Sequence, residues 1–244
     1  MEYDLTLFEK GLEELGIALS KDQEKQFITY YEYLVEKNKV MNLTAITEYN
    51  EVILKHFLDS LSIVKVSDFD QNKLTGKSVI DIGTGAGFPG IPLKIAFPEL
   101  KITLLDSLNK RVNFLNEVIE MLGLKNVIAV HGRAEDYAKQ KEHREKYDFC
   151  VSRAVANLST LSEYCIPFVK EGGCFISYKS GKIDEELAQA EKAVKILGGE
   201  VQNVVKFSLM DTDMDRSFAV IKKVKTTAKK YPRKAGLPSK EPLA

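Results

Sequence analysis

The run Asp81-Ile-Gly-Thr-Gly-Ala-Gly-Phe-Pro-Gly90 holds the densest potential for chemistry in this chain. A β-branched pair, Val79 and Ile80, leads straight into it, and an apolar segment with Pro92 near its start follows. Proline in a first helical turn gives up no needed N–H, so the order reads strand, glycine turn, helix. Glycines admit positive φ and let a ligand approach the main chain, and amides exposed at a helix start suit an anion. Gly85, Gly87 and Gly90 satisfy the G-x-G-x-x-G pattern of dinucleotide sites, whereas Gly83, Gly85 and Gly87 satisfy the G-x-G-x-G form of methyltransferases. Asp81 tips the choice. A carboxylate two residues before the first glycine can order the loop or face a cationic methionine moiety, but it repels a pyrophosphate.

Three further groups stand where strands end, and ligands bind outside the carboxyl ends of parallel strands. Asp106 closes the next strand and is placed to accept hydrogen bonds from ribose hydroxyls. The turn His131-Gly-Arg-Ala134-Glu135-Asp136 ends the third strand, beside the position of an adenine, although acids there also suit a helix dipole. Arg153 ends the fourth and can grip a cofactor carboxylate or a substrate phosphate in bidentate fashion. His56 and Asp59 lie three apart on one helical face, able to meet substrate or each other. Between Lys222 and Lys240 there are eight Lys or Arg and no acid, although the whole chain carries 35 of each sign. Such a stretch offers phosphate contacts, with Tyr231 available for stacking and Pro232 and Pro238 keeping it extended.

The elements that must position these groups follow from periodicity. Leu12, Leu15 and Leu19 repeat at helical spacing, Ser20 to Gln23 reads as a capping box, and another helix runs through Ile53, Phe57 and Leu61. From Lys77 onward, strands at 78–82, 101–106, 127–130, 148–152 and 174–178 alternate with helices near 91–97, 108–122, 134–141, 158–170 and 183–197. That alternation implies an α/β fold, a Rossmann-like and mostly parallel sheet with helices on both faces. Strands at 200–207 and 217–223, with no helix between them, add an antiparallel edge. The expected division is a helical cap over 1–72, a cofactor-binding domain over 73–224 and a basic tail over 225–244. Cys150, Cys165 and Cys174 form no C-x-x-C pair, which disfavours a metal site, and they read as buried thiols. No signal peptide or membrane span is evident, which places the chain in the cytosol.

Several segments together resemble the bacterial 16S rRNA guanine-N7 methyltransferase family, also called glucose-inhibited division protein B. They are Asn42-Leu-Thr44, Lys55-His-Phe-Leu-Asp-Ser60, the glycine loop through Pro92, Asp106-Ser-Leu-Asn-Lys-Arg111, Gly132-Arg-Ala-Glu135, Ser152-Arg-Ala154 and Tyr231-Pro-Arg-Lys-Ala-Gly-Leu-Pro238. The resemblance implies a class I methyltransferase fold and methyl transfer from S-adenosylmethionine to N7 of one guanine, nucleotide 527 in the 530 loop. It places cofactor contacts on Gly83, Phe88, Ala134, Glu135 and Arg153. Asp81, Gly85, Gly87 and Asp106 join them from strand-end geometry, and RNA contacts are expected from Lys55, His56, Lys229, Lys230, Arg233 and Lys234. The partner is then 16S rRNA or the small subunit, with no obligate protein partner and a monomeric enzyme. No general base is expected. Truncation before Lys225 is expected to spare cofactor binding, because the glycine loop lies upstream. A nicotinamide oxidoreductase and a non-catalytic RNA-binding protein are the competing readings.

Overall fold

The computed structural model describes residues 3–153, 156–181, 183–210 and 212–243. Seven strands form one sheet: β1 (Ser78–Ile82), β2 (Lys101–Asp106), β3 (Val127–His131), β4 (Tyr147–Ser152), β5 (Val169–Ser180), β6 (Gly199–Ser208) and β7 (Asp215–Lys223). Their spatial order is β3-β2-β1-β4-β5-β7-β6. Strands β1 to β5 run parallel, and β7 pairs antiparallel with both β5 and β6. The chain order reverses at β1, where β2 lies on one side and β4 on the other, and such a switch point opens a crevice at the strand ends.

Alternation along the strands sends side chains to two cores. Val79 of β1 and Val151 of β4 face one layer, together with α1 (Thr6–Glu14), α2 (Lys21–Met41), α5 (Gly90–Ala96) and α6 (Asn109–Met121). Ile80 of β1 and Cys150 of β4 face the other, against α8 (Leu158–Cys165) and α9 (Asp184–Ile196). The three cysteines are buried and free. The N-terminal helices are continuous with the first core, because Phe8, Phe27 and Phe57 pack with strand residues. Residues 3–72 therefore bury their apolar face on the sheet layer rather than enclosing a core of their own.

Local signals account for the cap. Ser20 accepts from Gln23 N while the Gln23 side chain accepts from Ser20 N, the reciprocal box that starts α2. The segment expected as one α-helix is composite: α3 (Tyr49–Val52), a π-turn over Ile53–Leu58 and α4 (Asp59–Leu61). A π-turn inserts a residue into the helical repeat, which apolar spacing does not reveal. It carries Lys55 and His56.

Candidate functional site

The glycine turn is organised by two acids and a tyrosine. Asp81 is buried, and its Oδ2 accepts from Thr84 Oγ1 at 2.7 Å and from Gly90 N at 2.9 Å. Its Oδ1 is buried with no partner among the described residues. Burial pushes this carboxyl up to about 6, against the hydrogen bonds from Thr84 and Gly90 and the charge of Arg153. Asp106 Oδ2 accepts from Gly85 N and its Oδ1 from Leu108 N, both at 2.9 Å, with Arg111 Nη1 at 3.4 Å from Oδ2. Asp106 therefore holds the loop through backbone amides. A carboxylate has about four acceptor positions, so it retains room for a hydroxyl. The Tyr30 hydroxyl donates to Ala86 O from α2.

The glycines differ in what they do. Gly83 and Gly85 have φ of +71° and +63°, and a Cβ on Gly83 would meet nothing within 4 Å. Space is open there, and a ligand can lie against bare backbone. Gly87 is a packing residue instead: its Cβ would come within 2.6 Å of Ile91, 2.9 Å of the Tyr30 hydroxyl and 3.0 Å of Leu115. The cofactor contact expected of Gly87 is corrected to a structural role, because the position faces the core.

Two clefts flank the loop. A small one of about 180 Å3 is lined by Gly83, Leu105, Ser107, Ala134, Glu135 and Tyr164, among others. Ala134 and Glu135 open the short helix α7 (Ala134–Tyr137) after β3. Glu135 is 4% exposed, and its Oε1 accepts from Gly236 N at 2.8 Å. The second cleft, about 400 Å3, opens at the ends of β4 and β5 and the start of β7. At its base the Asp59 carboxylate holds two arginines. Arg153 Nη1 donates to Oδ2 and Arg216 Nε donates to Oδ1, each at 2.8 Å. Arg153 also donates to Lys55 O at 2.9 Å and lies 5.1 Å over the Phe88 ring.

His56 and Asp59 meet each other only through that arginine. His56 Nδ1 lies 3.1 Å from Lys55 O and 3.2 Å from Arg153 Nη2, and Nε2 lies 2.8 Å from Thr44 Oγ1. The imidazole stacks on Phe88 at 4.5 Å. Burial, then the Arg153 charge, pushes His56 down to about 4, so it is neutral at pH 7. His56 therefore brings no charge to an RNA phosphate, although its ring lines the second cleft beside Arg153. Lys55 lines the second cleft and pairs with Glu51. Arg216 was not expected in the site; its sequence signal is a lone base just before the strand expected at 217–223.

The tail also departs from expectation. Arg144 donates to Thr227 O and Tyr231 O at 2.7 and 2.9 Å, and Thr227 Oγ1 donates to Leu197 O at 2.6 Å. Tyr231 is buried in the second core, which removes it as a stacking platform. Arg233 forks onto Glu163, which is wholly buried, with Nη2 to Oε2 at 2.7 Å. That ion pair is structural, so Arg233 is withdrawn from the expected RNA contacts. Lys229, Lys230 and Lys234 are exposed. Segment 225–243 thus packs against the body, and the Gly236–Glu135 bond ties it to a wall of the small cleft, so its removal would disturb that wall.

With this geometry in place, comparisons with known proteins are informative. Residues 23–236 match the family model described as GidB, rRNA small subunit methyltransferase G. A ribosomal RNA small subunit methyltransferase G from Lachnoclostridium phytofermentans is 58% identical over 240 residues, covering 98% of each chain. Its counterpart from Desulforamulus reducens is 53% identical over 242 residues, covering 99% of each. Among solved structures, M. jannaschii TYW2 in complex with AdoMet superposes with a TM-score of 0.50 at 14% identity, covering 64% of this chain and 74% of that one. A mutant of MtNAS does so at 0.55 and 16% identity, covering 89% and 82%. These structural likenesses support the Rossmann-like α/β fold read from the sequence. The chain belongs to the rRNA small subunit methyltransferase G family.

Proposed function

We propose that this chain transfers a methyl group from S-adenosylmethionine to N7 of a guanine in small-subunit rRNA, at nucleotide 527 in the 530 loop. The observation that carries this reading is the adjacency of two different clefts. One is lined by Gly83 of the glycine turn, and Arg153, lying over Phe88 of that turn, also lines a second cleft where Lys55, Lys179 and Arg216 stand with Asp59 and Glu186. The residues fit the cofactor: a Cβ on Gly83 would fill open space, and Asp81 Oδ1 is an orphaned acceptor suited to an ammonium. The same oxygen would repel a pyrophosphate, which disfavours a nicotinamide dinucleotide. Gly83 and Gly85 would carry the chain of the cofactor, Asp106 the ribose, and Ala134 with Glu135 the adenine end. When bound, S-adenosylmethionine supplies the electrophilic methyl group.

Guanine N7 has an in-plane lone pair and no proton, so the protein need only hold the base in line and exclude water. The neutral, engaged His56 is consistent with that, since no base is needed. Asp59 fixes Arg153 for the cofactor or a nucleotide phosphate, and Arg216 for a nucleotide phosphate. Lys55, Lys229, Lys230 and Lys234 add electrostatic attraction to the RNA backbone. The enzyme acts as a cytosolic monomer in this reading. No helix among the described residues is long and apolar enough to cross a membrane.

The direct test is mass spectrometry of small-subunit rRNA nucleosides from a strain lacking this gene. One N7-methylguanosine should be missing and should return when the protein and S-adenosylmethionine are supplied to the isolated substrate. An unchanged modification profile refutes the assignment.

Cofactor affinity should also follow pH with a defined sign. The Asp81 carboxyl titrates near 6, so it is ionised above that value and attracts an ammonium there. Binding of S-adenosylhomocysteine should be flat above about pH 7 and weaken by up to roughly tenfold per unit below 6. Asp81→Asn should bind weakly and lose that pH dependence. A wild-type profile that is flat down to pH 5 removes Asp81 from cofactor binding.

A further inference from the structure

The basic C-terminal segment and the small cleft share their walls. Glu135 and Tyr164 line the cleft; Glu135 bonds the segment directly, and Tyr164 sits on α8 beside residues that do. Gly236 N donates to Glu135 Oε1 at 2.8 Å. Glu163, next to Tyr164 on α8, has a fully buried side chain that accepts from Arg233 N at 2.7 Å and from Arg233 Nε at 3.0 Å. Thr160 Oγ1 on the same helix donates to Pro238 O at 3.2 Å. A buried carboxylate needs its partner, so Glu163 keeps its place only while Arg233 is docked. The stretch that makes these bonds also presents Lys229, Lys230, Lys234 and Lys240 to solvent. One piece of chain therefore touches the cofactor cleft with one side and offers cations with the other.

We propose that segment 227–241 couples RNA binding to cofactor binding, with Arg233 and Gly236 as positioning residues that set Glu135 and Tyr164 against the adenosine end of the cleft. Phosphates of a single-stranded RNA on the exposed lysines hold the segment in its docked position. Equilibrium linkage makes the effect reciprocal: RNA tightens the cofactor by the factor with which the cofactor tightens RNA. This inference rests on the methyltransferase reading above.

The test is calorimetric titration of full-length protein with S-adenosylhomocysteine, with and without a short guanine-containing single-stranded RNA. RNA should tighten binding at least about fivefold, the lower end of usual allosteric factors. Arg233→Gln should weaken binding in the absence of RNA and bring the coupling factor close to one. The double variant Glu163→Gln with Arg233→Gln removes the stranded buried charge, so it should fold and still lack coupling. A residue that serves stability alone would leave the coupling factor intact in that double variant. Coupling that persists in the folded double variant overturns the proposal. So does unchanged cofactor affinity with RNA when the wild type binds each ligand separately. Failure of the wild type to bind either ligand at all overturns the methyltransferase reading together with it.

Discussion

Replacing Gly83 by valine should abolish cofactor binding while leaving a folded protein. The backbone there sits at φ +71°, and the direction a side chain would take meets nothing within 4 Å. The protein has room for the added atoms, and they occupy the space assigned to the cofactor. The strain of a branched residue in the left-handed region costs about 1–3 kcal/mol, a modest fraction of the roughly 5–15 kcal/mol of a typical domain. Calorimetry should register no binding, and the thermal midpoint should no longer rise with added S-adenosylhomocysteine. Gly87→Ala should show the opposite balance. Its Cβ presses on Ile91, Leu115 and the Tyr30 hydroxyl, so stability falls first and binding suffers through the distorted loop. If the Gly83 variant retains wild-type affinity, the cofactor does not lie against this turn.

The second large effect is expected at Asp59. Its side chain is 7% exposed and answers two guanidinium groups, so Asp59→Ala leaves both without their shared anion. Removing one partner of a buried pair typically costs about 3–5 kcal/mol, which urea denaturation will register. Arg153 would lose its anchor beside Phe88, and misplacement by an ångström is enough for about a 100-fold loss of turnover. Single-turnover methylation of rRNA should fall by that order, with cofactor affinity changed far less. Asp59→Asn, which keeps an acceptor but not the charge, should lie between. Wild-type stability in the alanine variant would show that other groups hold the arginines.

The sequence made the central strands legible because β1 and β2 are buried β-branched runs bounded by turns, and both match their expected limits residue for residue. The start of α2 was equally plain, since a capping box is a local signal. Groups that act through distant partners were not. Arg216 meets Asp59 across 157 residues and Arg233 meets Glu163 across 70, so nothing near either arginine marks it as taken. Basic composition at 222–240 suggested a solvated arm, whereas Tyr231, Pro232 and Pro238 supply the apolar contacts that dock it. Strand β5 begins at Val169, five residues earlier than expected, because Lys170 to Gly173 lack the apolar alternation that betrays a strand. Asp106 was legible as a strand-end carboxylate, but its hold on the amides of Gly85 and Leu108 depends on loop geometry.

The placement of β7 between β5 and β6 dictates an order of assembly during synthesis. A ribosome releases β6 before β7, and among the described strands β6 pairs with β7 alone. Until residues 215–223 emerge, β5 presents an open edge and β6 has no place in the sheet, the sort of exposed strand that invites misassociation. Arg216 arrives on that same late strand. The nascent chain therefore closes its sheet and completes the arginine pair on Asp59 in a single event, once β7 is available.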